Sequence, residues 1–460
     1  MKLMKTILML AVSLVACAEE WPRFRGVNGT GVASSAKLPV EFGPSKNVAW
    51  KAAVPFWQSS PIVSGGRVFV TASEGESLIT LAFDASNGKQ IWRRELKRAH
   101  KNAIYKANDP ASPTPASDGK SVFVFFPHFG LIAYTHAGKE KWRAPLGPFE
   151  NFYGMSAGPI VSGGVVILLA DQTSGSYLLA LDKETGKQKW KTERREYRES
   201  WGIPIVHEDQ LITVGTSRVE SYHLSTGEPR WWMALPSFGS MGSPVVSGDS
   251  VIVTADGTDK PWIPSWDSVL AKYDKDKDGK LSIDEGKEDK EWGEHLAWVD
   301  TDHNKIVDAA EWDEASKLGM GEYGAVAIPL ASKGRVESSA AKWRFKRNLP
   351  YIPSPLVYDG VFYMVKTGGI VTTLNPADGS LQKQGRSEKA LGEYYASPVA
   401  GAGKIYLLSE EGKVSVLKAG AQWEVLAVND LGEECRATPA ISGDRIFIRT
   451  RGNLYAFAER

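Results

Sequence analysis

From Pro61 onward the chain writes one hydrophobic phrase again and again. A small residue precedes Pro, two apolar residues follow, a polar turn comes next, and an apolar run closes the phrase. It reads "SSPIVSGGRVFVT" at Pro61, "AGPIVSGGVVILL" at Pro159, "GSPVVSGDSVIVT" at Pro244 and "ATPAISGDRIFIR" at Pro439, with further copies at Pro115, Pro204, Pro355 and Pro398. These prolines lie 40 to 54 residues apart, except for one interval of 111. Runs of this length bounded by turn residues predict short strands. A third segment follows each pair, as in "LLALDKETGKQKW". Its Gly sits in a tight turn, and a Trp three or four residues later begins a fourth strand. Trp92, Trp142, Trp190, Trp231, Trp343 and Trp423 hold that place.

Four short antiparallel strands at a period near ~43 residues describe the blade of a propeller. One blade cannot bury both faces, and radial stacking does so. The pattern predicts an all-β, eight-bladed β-propeller, with the tryptophans packed between blades. The last unit ends at "RGNLYAFAER" without a fourth strand. "NVAWKAAVP", carrying Trp50, supplies one from the other end of the chain and removes the open edge.

The long interval holds extra residues, 257–323, between the second and third strands of blade five. They include "DKDKDGKLSIDE" (274–285) and "DTDHNKIVDAAE" (300–311). In the first, Asp274, Asp276, Asp278, the Lys280 carbonyl, Ser282 (often through water) and Glu285 fall at the alternating positions from which a twelve-residue loop wraps a hard cation. Gly279 allows the sharp turn. In the second, Asp300, Asp302, Asn304, the Ile306 carbonyl, Asp308 and Glu311 match, but Lys305 replaces the Gly. The flanks are amphipathic: Trp266, Val269, Leu270 and Tyr273 before, Trp312, Ala315 and Leu318 after. The segment resembles an EF-hand pair, a small α-helical insertion with short inner helices. The resemblance implies two calcium ions, and because Lys305 must take the backbone conformation that suits Gly, the first is expected to bind more tightly. Asp267 to Glu314 hold sixteen acidic residues against seven Lys. The segment is therefore expected to project from a rim as a separate acidic knob.

The chain has 460 residues and a formal net charge of +1. With the insert strongly acidic, the remainder is mildly basic but spread out, so no nucleic-acid partner is implied. "MKLMK" and "TILMLAVSLVA" form a signal segment. Two readings of its end stand together: cleavage after Ala18 (1–18 removed, propeller 19–460), or lipidation of Cys17. Export is expected either way, to the periplasm or beyond, with lipid on Cys17 as the one route to a membrane. Cys435 then stands alone within the fold, as a buried small hydrophobe.

"LLALDKETGKQKW" and the opening "WPRFRGVNGTGV" resemble the pyrroloquinoline-quinone-like repeat family of bacterial propellers. The family contains quinoprotein dehydrogenases, which use calcium at the axis, a catalytic Asp and adjacent cysteines. It also contains the propeller lipoprotein of outer-membrane assembly, a non-enzymatic scaffold. This chain has no adjacent cysteines, and its calcium-type loops lie in the insert. No HExxH or GxSxG motif appears, so no catalytic residue is assigned. The resemblance implies a monomeric envelope scaffold meeting a protein or polysaccharide, and pyrroloquinoline quinone is not expected. The alternative is a redox or small-ligand protein, binding a sugar or quinone at the channel mouth. Aromatic residues before each Pro-strand, Trp57, Tyr153, Trp201, Phe238, Tyr351 and Tyr394, would ring that mouth.

Overall fold

In the computed structural model the described residues are 20–459, apart from 36, 57, 102–103, 106–107, 195–198, 236, 238–240, 261–262, 288, 290–292, 301, 303 and 318–321, and apart from the side chains of 293–295. The signal segment with Cys17, and Trp57 and Phe238, lie outside them.

Eight sheets, each with four antiparallel blade strands, form the eight-bladed propeller. The blades occupy 62–97, 116–145, 160–193, 205–234, 245–345, 356–386, 399–430 and, for the eighth, 440–457 with Val48–Ala53. The strand of Trp50 pairs with Asn453–Phe457, Trp50 opposite Ala456. A non-covalent strand from the N-terminal side thus closes the ring.

Strand patterns follow position in the blade. Middle strands such as Val165–Ala170 are buried along their whole length, because a neighbouring blade covers each face. Outer strands alternate, as Gln188–Glu193 does, with Trp190 turned inward. A bulge between Ala180 and Leu181 sets the Trp register. In the turn before it, Asp182 accepts hydrogen bonds from the Thr185 backbone and hydroxyl. Those bonds hold its carboxyl down at about 2.

The Trp-to-Gly contact joins blades. A Cβ added at Gly186 (φ +71°) would lie 2.7 Å from the Trp142 ring. Trp142 also donates to Lys183 O at 2.9 Å. Trp50 on Gly88, Trp92 on Gly138, Trp190 on Gly227 and Trp343 on Gly379 repeat the arrangement. Trp423 faces Gly385 of the preceding blade instead, because blade eight replaces the Gly turn with the two ends of the chain. Trp231 donates within its own blade, to Gln210 Oε1 at 3.0 Å. Blade five has no tight turn to receive it. Its chain runs out to Gly334–Val336, a fifth strand parallel to Pro229–Ala234. Cys435 is buried, and burial pushes its thiol far up.

The residues before the closing strand run across one end of the axis. Trp21 pairs with Val63 of blade one, Ser117 N of blade two donates to Pro22 O, and Ala33 N donates to Ala400 O of blade seven. Arg23 donates to Pro204 O of blade four at 2.6 Å, and Arg25 to Pro355 O of blade six at 2.5 Å. Both guanidinium groups are fully buried, and loss of water pushes each down to about 9. The segment closes this end of the channel.

Between Ser250–Ala255 and Gly324–Pro329 of blade five the chain leaves the sheet. It forms four helices: α1 (Trp266–Tyr273), α2 (Ile283–Gly286), α3 (Gly293–Val299) and α4 (Ala309–Lys317). They share a core of their own that includes Val269, Tyr273, Leu281, Leu296, Val307 and Trp312. Among the described residues no helix is long and apolar enough to cross a membrane.

Candidate functional site

Opposite the closed end, the channel opens into a cavity of about 390 Å³. Phe24 of the crossing segment is among its lining residues. Its walls carry Tyr105, Tyr153, Trp201, Tyr351 and Tyr395. Tyr153 meets Trp201 edge-on at 5.5 Å and Tyr105 at 5.2 Å. Trp201 is pinned by a 3.0 Å bond from its Nε1 to Gly154 O. Burial pushes the Tyr351 phenol well above its ordinary value.

Three of the six aromatics expected at the mouth therefore line it: Tyr153, Trp201 and Tyr351. Tyr394 does not. It is 2% exposed, its hydroxyl is bonded to Ala390 O at 2.8 Å, and it packs in the core between blades six and seven. The next residue, Tyr395, takes the lining place. A hydrophobic repeat locates the loop but not which of two adjacent tyrosines faces the axis. Tyr105 carries no repeat signal, because it lies in the long blade one to blade two connection, ten residues before Pro115.

Below the aromatics lies a belt. The residue before each repeat proline is Ser or Thr in six blades: Ser60, Thr114, Ser243, Ser354, Ser397 and Thr438. Each hydroxyl accepts the backbone N–H of the equivalent residue in the preceding blade. Ser60 N reaches Thr114 Oγ1 at 3.1 Å, Thr438 N reaches Ser60 Oγ at 3.0 Å, and Ser397 N reaches Thr438 Oγ1 at 2.9 Å. Ser354 N, Ser243 N and Ile203 N continue the series onto Ser397, Ser354 and Ser243 at 2.9–3.0 Å. The belt breaks at Gly158, where a Cβ would lie 2.2 Å from Thr114 O. The repeated "small-Pro" is thus a blade-to-blade hydrogen-bond position, a role that spacing alone does not reveal.

Among the described lining residues there is one cation, Arg436. Its charge is matched by Glu410, at 2.8 and 2.6 Å, and by Glu434 at 3.3 Å. It also covers the Tyr395 ring at 4.8 Å. Among the described lining residues there is no carboxylate or histidine.

The acidic loops sit apart from this cavity. Carboxylate oxygens of Asp274, Asp276 and Asp278 lie within 4.8 Å of one another, and so do those of Asp300, Asp302 and Glu311. Glu285 closes the first loop by accepting from Lys275 N at 2.8 Å and Ser282 N at 2.9 Å. Lys280 N donates to Asp278 Oδ1. In the second loop Asn304 Nδ2 bonds Asp302, Asn304 Oδ1 accepts from Ile306 N, and Asp308 caps α4 through Ala310 N and Glu311 N. Lys305 takes φ +68°, the left-handed value that Gly279 takes at +80°. The loops pair back to back, Leu281 opposite Val307. A backbone bond from Asp278 N lowers the Asp276 carboxyl, but burial and the nearby Asp278, Glu285 and Asp274 charges outweigh it and raise the group. The donor set fits a hard cation in one further respect. Asp300 Oδ1 is buried and accepts no hydrogen bond from a described residue.

The insert does not stand clear of the propeller, as a separate knob would. Ala297 and Trp298 of α3 line a groove of about 410 Å³ with Phe149, Phe152, Thr173 and Glu199. The apolar residues Leu296 and Val299 of α3 turn into the insert's own core, while Ala297 and Trp298 face this groove across from the loops around blade three.

A family model described as "Outer membrane protein assembly factor BamB" matches residues 40–151, 76–200 and 176–460. The chain belongs to this family. A curated member of that description from Bordetella pertussis is 28% identical over 156 residues, 33% of this chain and 34% of that protein. The match thus spans about a third of that relative's length. Among solved structures, BamB from Moraxella catarrhalis superposes with a TM-score of 0.56 at 12% identity, covering 89% of this chain and 96% of that one. A europium-containing methanol dehydrogenase gives 0.59 at 10% identity, covering 96% and 98%. The quinohemoprotein alcohol dehydrogenase of Comamonas testosteroni gives 0.55 at 12%, covering 96% and 80%. At these identities the likeness speaks for the propeller fold and not for its chemistry.

Proposed function

We propose that this protein is a calcium-binding β-propeller of the bacterial cell envelope that works as a non-enzymatic binding or assembly scaffold. The observation that carries the reading is the character of the mouth. Its described lining is aromatic and hydroxylic, with one cation already matched by two glutamates, and with no carboxylate or histidine to move a proton. Membership of a family described as an outer membrane assembly factor supports a protein partner, and a polysaccharide partner comes second. The leader supports export, either by cleavage after Ala18 or by lipidation of Cys17, and a monomer suffices for either partner.

The dehydrogenases that share the fold supply the competing reading. Pyrroloquinoline quinone is a tricarboxylate and needs cations and a metal beside it. Among its described lining residues the mouth offers only the neutralised Arg436 and no carboxylate for an axial metal, so the described residues do not fit the group. The loop oxygens of the insert do fit calcium, with two ions held by 274–285 and 300–311. Affinities of extracellular sites of this type are on the order of 10⁻⁴–10⁻³ M, which favours a structural ion over a sensor.

The test is dye-linked oxidation of alcohols and sugars after incubation with pyrroloquinoline quinone and calcium. No turnover above a boiled control is expected. Turnover above it would overturn the scaffold reading in favour of an enzyme.

A further inference from the structure

The six belt hydroxyls have done only half of what a hydroxyl does. Each accepts one backbone N–H, and each residue is between 2% and 5% exposed. None of the six donates its O–H to a protein acceptor among the described residues. A hydroxyl carries one donor and two acceptor lone pairs. Six unspent donors, each with one remaining lone pair, therefore converge beneath the aromatic walls of one cavity. A buried donor left without an acceptor is destabilising. The arrangement is built to meet an oxygen-rich guest or its water stand-in.

The charge of the lining narrows the class of guest. A polyanion would need cations, and the one described lining cation, Arg436, is already matched by Glu410 and Glu434. A quaternary ammonium would suit the aromatic walls, but it has no acceptor for six O–H groups. A peptide brings N–H donors as well as carbonyls, and this wall is rich in donors. A neutral sugar satisfies every feature at once. Its hydroxyls both donate and accept, and its C–H faces stack on tyrosine and tryptophan rings. The volume of about 390 Å³ falls within the range of about 300–1,000 Å³ seen for small-ligand pockets.

We infer that the channel mouth is a binding site for a neutral carbohydrate, one or two rings of which sit between Tyr153, Trp201 and Tyr351 with their hydroxyls on the belt. The inference deepens the scaffold reading and rests on it in one respect, that the mouth binds without catalysing. The crossing segment with Phe24 stops the channel behind the guest, so a glycan chain enters by its end and does not thread through.

The experiment is isothermal titration of the full-length, calcium-loaded protein with cellobiose, maltose and N,N′-diacetylchitobiose. Pyrroloquinoline quinone, choline and a tyrosine-containing tripeptide are run beside them. Saturable binding of at least one disaccharide is expected, insensitive to salt because no charge is matched. Tyr351→Ala, at a partly exposed position, should weaken it at least tenfold, while Tyr351→Phe keeps the ring and stays within about twofold. Unchanged circular dichroism separates a lost site from a lost fold. No binding of any disaccharide, binding equal in wild type and Tyr351→Ala, or binding of the peptide, choline or quinone in their place would each overturn the inference. Capture of an envelope protein by a chain that binds no sugar would sink this inference and leave the scaffold reading standing. Turnover of the bound sugar would sink the scaffold reading and leave the site.

Discussion

Replacing Trp50 with Ala should loosen the whole ring. Trp50 sits on the strand that closes blade eight, is 6% exposed, and packs its ring on Gly88 of blade one. Truncating a buried Trp to Ala costs about 3–5 kcal/mol, from lost transfer energy and the cavity left behind. The Nε1 bond to Ala85 O, 2.9 Å, is also lost. That loss adds little, because Arg445 Nη1 still donates to the same carbonyl at 2.8 Å. Trp50→Phe, which keeps a ring, should therefore cost about 1–2 kcal/mol. Trp92 is the control. It has equal burial, a 2.8 Å bond to His136 O and the same Gly contact, but its strand is continuous with its own blade. Urea unfolding followed by far-ultraviolet circular dichroism gives the equilibrium values, and the unfolding rate reports the closure. Trp50→Ala should unfold faster than Trp92→Ala at equal denaturant, because only blade eight is held shut without a covalent link. A cost for Trp50→Ala below about 1 kcal/mol, or an unfolding rate no faster than the control, would refute the reasoning.

Other predictions follow from single contacts. Gly186→Ala forces a Cβ to 2.7 Å from Trp142 at φ +71°, and should cost about 1–3 kcal/mol by urea unfolding. Asp171→Asn breaks the fully buried bidentate pair with Arg194 (2.7 and 2.9 Å) at the end of blade three, and should cost about 3–5 kcal/mol in the same assay. Ser397→Ala removes the acceptor of Ser354 N in the belt and should cost about 1–3 kcal/mol. Calcium calorimetry should show two unequal sites. Glu285→Gln should weaken the tighter and Glu311→Gln the weaker, with the strand signal unchanged on chelation; one site, equal sites or a melting propeller would contradict this.

The propeller was legible because its signals are local and repeated. The proline phrase recurs in all eight blades and the Gly turn and the Trp in most of them, and the missing last strand points to Trp50. What stayed hidden depends on the ring as a whole. "WPRFRG" reads as an opening motif, but only the closed ring places Arg23 against Pro204 O and Arg25 against Pro355 O. Equally, Ser60 accepts from Thr438 across 378 residues, a pairing that no spacing announces. The mouth was half legible. The repeat brought Tyr153, Trp201 and Tyr351 to the axis, but the choice between Tyr394 and Tyr395 turns on one local bond to Ala390 O. The groove shared by α3 and the loops around blade three is not legible, because Trp298 lies between the two loops, where its periodicity reads only as a short inner helix.

The scaffold reading is tested most directly by affinity capture from solubilised envelope of the source bacterium, with calcium and with chelator. The account predicts that an envelope protein is retained in proportion to the bait, without added quinone, and that retention survives a chelator that empties the insert. A bait that retains nothing beyond the resin control, in calcium or without it, would contradict it.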